Sequence, residues 1–185
     1  WGGGWLASIG FSDFAGSTLV HSTGGAAALA GIVILGPRFG RFDNKGNPKS
    51  IQPFAASSIP LVTIGVFVLW LGWFGFNGGS QLAIASFADA VAISSIFINT
   101  NLAACGGVLA AAIVTRLMFG KTDVIQMLNG AIGGLVTITA EPLAPSPLAA
   151  ILIGAMGGVI VVFGTKLLFS FKLDDVVGAI PAHMF

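Results

Sequence analysis

Residues 13–35 read DFAGSTLVHSTGGAAALAGIVIL, a run that past Asp13 stays apolar or small as far as Leu35 apart from one histidine. About 20 such residues, rising ~1.5 Å each along a helix, cross the ~30 Å hydrocarbon layer of a bilayer. The stretch therefore reads as a membrane span, and His21 lies inside it. An imidazole there is costly to bury charged, and by default it faces a cavity or a partner. The other end of the chain has the same arrangement. DDVVGAIPAH, residues 174–183, again holds an Asp, a Gly three residues on and a His eight residues on, in Asp175, Gly178 and His183. His21 and His183 are the only histidines in the sequence.

Working outward, composition sets the class. Of 185 residues, 55% are hydrophobic and only 8% charged, and the mean hydropathy is +0.95, whereas soluble domains carry about a quarter charged residues. Several further windows exceed the ~18 apolar residues of a spanning helix. Gly and Ala are plentiful inside them, as close helix packing in lipid requires. The alternation of a membrane barrel is missing. The expected fold is all-α, a polytopic transmembrane helical bundle. The sequence starts at Trp1 without an initiator Met or a charged leader and stops two residues after His183, within what reads as a new span; this suggests a piece of a longer protein. Cys105 has no second cysteine with which to pair, and a net charge of +1 gives no reason to expect a nucleic-acid partner.

Spans are expected at about 14–35, 57–79, 90–118, 124–139 and 147–170, with a sixth beginning near 176. The basic residues Arg38, Arg41, Lys45, Lys49, Arg116, Lys121, Lys166 and Lys172 all fall in or beside alternate connections. Basic residues favour the cytoplasmic side, which puts Trp1, Asp13, Ser80 and Glu141 outside. An odd number of spans separates the two Asp-x2-Gly-x4-His stretches, so they enter the membrane from opposite sides as antiparallel copies. Eight residues carry each His ~12 Å inward from its Asp, toward the midplane. Inverted repeats around a midplane site are a common transporter plan.

Other roles for the histidines stay open on the residues alone. Each could be neutral and bonded to a backbone carbonyl, or the two could be axial ligands of a haem. The dense Gly and Ala of STGGAAALAG, residues 22–31, favour close packing over a space wide enough for a porphyrin.

Taken in order, WGGGWLAS, DFAGSTLVH, LGWFGFNGGS, LNGAIGGLVTIT and LDDVVGAIPAH resemble the ammonium transporter (Amt/Mep/Rh) family over nearly the whole chain. The resemblance implies an eleven-span fold built on a five-plus-five inverted repeat, of which this chain would cover the fifth to ninth spans and the start of the tenth. It implies a plasma-membrane homotrimer with one pore per subunit, no cofactor or metal, and a possible regulatory protein on the cytoplasmic side. It also assigns roles. Trp1 would be the outer-vestibule aromatic that attracts the cation and Ser80 would accept a hydrogen bond from it; Trp1 and Trp5 also fit a plain interfacial belt. Phe76 would be one of two stacked phenylalanines closing the pore, Trp73 a pore-lining aromatic, and Thr139 a residue near the outer pore. His21 and His183 would line the conduction path, with Asp13 and Asp175 in supporting roles as caps of their helix starts. Ser17 stands where the family commonly has glycine. Pro181 and Met184 depart from the usual small residues beside His183.

The chemistry suits ammonium. Moving an intact ion through an apolar pore costs of order 20 kcal/mol by an idealised Born estimate, whereas neutral ammonia needs only a hydrogen-bonding partner. A proton that leaves near the entrance discriminates against potassium, which has none to give. Two expected functions follow, an ammonium transporter and an ammonium sensor built on the same membrane domain.

Overall fold

The computed structural model describes residues 3–42 and 54–185. Trp1, Lys45 and Lys49 lie outside the described residues. All regular structure among the described residues is helical. A short α1, Trp5–Ser8, precedes α2, Ser17–Leu35, whose first turn over Ser17–Ser22 is π-helical. Then come α3, Ile59–Gly79, α4, Phe87–Phe119, α5, Val124–Thr139, α6, Pro147–Ser170, and α7, Ala179–His183. Four of these, α2, α3, α4 and α6, are long and apolar enough to cross a membrane.

Local signals set their ends. Ser58, Ser86, Asp123 and Ser146 each accept a hydrogen bond from the backbone N–H three residues on, opening α3, α4, α5 and α6. Ser86 and Asp89 bond reciprocally as a capping box, which satisfies two of the otherwise orphaned groups of the first turn. Pro60 and Pro147 fall in first turns, where a missing N–H costs nothing. At the far end of α4, Gly120 takes a φ of 73° and returns its N–H to Arg116 O, the usual left-handed helix stop.

The tightest packing joins α4, α5 and α6. A Cβ on Gly107 would run into the backbone carbonyl of Gly130 on α5, and one on Gly158 of α6 into that of Gly107. In lipid no hydrophobic force drives helices together, so close backbone approach of this kind supplies the attraction. The 16-residue α5 is shorter than a span, but protein surrounds it: Gly130 to Val136, Ile138 and Thr139 are all buried. Many apolar side chains of α2 and α3 instead stay exposed, among them Ile34, Leu35, Leu61 and Leu71.

The bundle brings α7 against α2 although 162 residues separate their histidines. Pro181 sits in the first turn of α7, where its lack of an N–H does no harm. Met184 backs directly onto α2, where a Cβ on Gly25 would stand 2.6 Å from Met184 Cβ. The bulk of Met184 is thus taken up by the missing side chain of its neighbour.

Candidate functional site

Each histidine hangs from an aspartate-capped turn. Asp13 accepts from the backbone N–H groups of Gly16, Ser17, Thr18 and Leu19 at 2.8–3.2 Å and from the Thr18 hydroxyl at 2.6 Å. Burial works to raise its pKa, but the Thr18 hydroxyl and the backbone donors outweigh it and hold the carboxyl below its ordinary value. A carboxylate among so many donors favours the charged form. Gly16 turns the chain with φ 105°, a left-handed conformation that costs a residue with a Cβ about 1–2 kcal/mol. At the other end Asp175 accepts from Gly178, Ala179 and Ile180 N–H at 2.8–3.1 Å, and Gly178 has φ 81°.

These two turns deliver the imidazoles to one another. His21 Nδ1 lies 3.1 Å from His183 Nδ1, with ring centroids 5.2 Å apart and planes at 27°. One Nδ1 must carry the proton and the other accept it. The donating ring then has a bare Nε2 acceptor and the accepting ring an Nε2–H donor, so the tautomers of the pair are linked. His21 Nε2 is buried without a hydrogen-bond partner among the described residues. The two rings border a cleft of about 270 Å³ whose other walls are Val20, Gly24, Gly25 and Ala179.

Aromatic rings cover His21 on its other side. The Trp73 indole stacks on it at 4.9 Å and 15°, and Phe76, one turn further along α3, tilts against it at 5.4 Å. Trp73 is itself held from behind, since its Nε1–H donates to Thr139 Oγ1 at 2.8 Å. Thr139 is fully buried and bonded to Leu135 O and Asn77 Oδ1. It therefore stands behind Trp73, not on the open face of the cleft. Asn77 Nδ2–H in turn donates to Thr100 Oγ1 on α4. Ser80 lies at the end of α3, where its hydroxyl donates to Phe76 O at 2.8 Å and keeps its lone pairs free to accept.

Sequence reasoning gave Asn77, Thr100, Asp174 and Asn129 no role, and Arg38 only that of a basic residue marking the cytoplasmic side. Asn77 had a visible signal, an amide inside an apolar span. Arg38 had none: its backbone N–H, Nε–H and Nη2–H all converge on Asp174 at 2.7–3.0 Å, across 136 residues of sequence. Arg41 Nε adds a second ion pair at 3.4 Å, with its guanidinium over the Phe54 and Phe169 rings. The Arg38 hydrogen bonds, working against burial, hold the Asp174 carboxyl below its ordinary value.

A bundle of membrane-length helices with two imidazoles meeting beside aromatic rings defines a polytopic membrane protein with an open, mostly apolar cleft that the two rings border. Comparison with known proteins gives the particular family. The model of the Ammonium Transporter Family matches residues 1–185, and the chain belongs to that family. It is 45% identical over 195 residues to ammonium transporter Amt2 of Archaeoglobus fulgidus, a match covering 100% of this chain and 40% of that protein. Among solved structures it resembles a sensor Amt protein, with a TM-score of 0.89, 36% identity and coverage of 98% of this chain and 43% of that one. Mep2 of Candida albicans is similar at a TM-score of 0.85 and 32% identity, covering 99% of this chain and 38% of that one. The chain thus spans about two-fifths of the length of these relatives.

Proposed function

We propose that this chain is part of an ammonium-conducting membrane protein, covering about its fifth to tenth spans, in which ammonium is recruited on the outer side, loses a proton and passes as ammonia beside His21 and His183. The observation that carries this reading is the 3.1 Å Nδ1 to Nδ1 contact in an apolar cleft. A linked imidazole pair offers one acceptor and one donor, which match the N–H groups and the lone pair of ammonia. It provides no anionic site for an intact cation. Trp1 and Ser80 would form the recruitment site, with Phe76 and Trp73 between it and the histidines, and Thr139 and Asn77 fixing the Trp73 indole. The whole protein would be a plasma-membrane homotrimer with Trp1 outside and a regulatory partner at the basic, cytoplasmic face.

The test is uptake of ammonium and potassium by the full-length protein carrying His21→Ala, His183→Ala or both. Because the two rings act as one unit, each single change is expected to impair ammonium uptake about as much as the double change, the non-additivity of residues in contact. His21→Glu is expected to let potassium pass. Additive losses, with potassium still excluded, would show the histidines to be independent structural residues. A second reading, ammonium sensing, is favoured by the similarity to the sensor Amt protein. A signalling domain following this membrane domain in the full reading frame would decide for it.

A further inference from the structure

The geometry points to Asn129 as a positioning residue for the histidine pair, acting through the Asp175 turn; this rests on the conduction reading above. Both histidine-bearing turns are fastened to α5, one at its C-terminal end and the other in its N-terminal half. At the Asp13 turn the fastening uses the free carbonyls of the C-terminal end of α5. Phe14 N–H donates to Ala140 O at 2.8 Å, Ala15 N–H to Thr139 O at 3.1 Å, and the Ser17 hydroxyl to Val136 O at 2.8 Å. A helix C-terminus leaves its last four carbonyls without partners inside the helix, so a passing loop finds acceptors ready there.

The Asp175 turn meets α5 toward its N-terminal end, where such acceptors do not exist. There the backbone carbonyls are used within the helix, and the loop presents a carbonyl of its own, Val177 O. Two acceptors cannot bond, so a side-chain donor has to stand between them. Asn129 supplies it: Nδ2–H donates to Val177 O at 3.0 Å. The same amide closes over the next residue so tightly that a Cβ on Gly178 would collide with Nδ2. Gly178 both begins α7 and takes the left-handed turn that aims it. His183 follows five residues later, within a single short helix. An error in the seating of Val177 and Gly178 is therefore carried to the imidazole, whose partner His21 is fixed from the C-terminal end of α5.

The experiment measures methylammonium uptake by proteoliposomes of the full-length protein with Asn129→Asp, Asn129→Leu and, as a control, His21→Ala. Asn129→Asp keeps the shape of the side chain but removes the donor, and protonation of the new carboxyl restores one. Maximal uptake is expected to fall about tenfold in both Asn129 variants, since a small misplacement of an acting group has costs of this order. The half-saturation concentration, set at the distant recruitment site, should stay within about twofold. The deficit of Asn129→Asp relative to the parent should shrink as the pH on the Asp175 side is lowered from about 6 to about 4, toward the ordinary range of an aspartic carboxyl, while that of Asn129→Leu stays constant. Parent-like uptake in Asn129→Asp beside a deficient His21→Ala overturns the positioning role alone. So does a loss that merely follows the amount of folded protein in both variants and does not respond to pH. Parent-like, potassium-excluding uptake in His21→Ala overturns the conduction reading and this inference with it.

Discussion

The turn that opens α2 and the turn that opens α7 share an Asp, a left-handed Gly and a His at the same spacing, yet they are not equally strong. Asp13 gathers four backbone N–H groups and a hydroxyl; Asp175 gathers three N–H groups. The first turn of α2 is also wider. Gly16 O accepts from both Val20 N–H at 2.9 Å and His21 N–H at 3.2 Å, the second bond closing a six-residue π turn. In α7 the corresponding bond runs from Ala182 N–H to Gly178 O at 3.3 Å. What α7 lacks in its own cap it draws from outside, through Asn129 and through the ion pairs of neighbouring Asp174. A repeat in the sequence thus conserves the turn while its anchoring changes, because α5, which both turns touch, has a direction.

The comparison can be broken most directly at the aspartates. Asp13→Ala leaves five donors to be satisfied elsewhere and is expected to lower stability by about 2–4 kcal/mol, against about 1–2 kcal/mol for Asp175→Ala. The thermal midpoints of the solubilised full-length protein would measure both. Equal losses would show the extra donors at Asp13 to be without weight.

The next effect lies in the borrowed anchor. Arg38→Ala removes two charge-assisted hydrogen bonds from a buried carboxylate, leaving that of the backbone N–H, and is expected to cost about 1.5–3 kcal/mol. Its pH dependence has a definite sign. Folding depresses Asp174 below its ordinary value of 3.8, so the stabilisation is complete above that value and is lost as pH falls through the lower folded one. In Arg38→Ala, stability should fall less steeply over this acid window than in the parent. An unchanged slope would mean that Asp174 is held by other groups.

The smallest expected effect sharpens the asymmetry at the carbonyl end of α5. Ser17→Ala deletes the bond to Val136 O but leaves those of Phe14 and Ala15 in place, and should cost about 0.5–1.5 kcal/mol. A much larger loss would show the Asp13 turn to depend on one side chain, as the Asp175 turn depends on Asn129.

The sequence by itself determined the all-α membrane class, because the number of apolar residues needed to cross a bilayer is set by helix rise and membrane thickness, and a run such as 13–35 meets it without help from its neighbours. It also marked the two Asp-x2-Gly-x4-His turns, since a cap and a left-handed glycine act within one helical turn and leave their spacing in the chain. Only the tertiary structure decided what those turns are tied to. Asn129 and Val177, Trp73 and Thr139, Asn77 and Thr100, and Arg38 and Asp174 are 23 to 136 residues apart. No periodicity records such pairs. A hydrogen bond needs its donor and acceptor within about 3 Å, and that distance between remote residues is fixed by how closely glycine-lined helices pack, which the order of residues along the chain does not express.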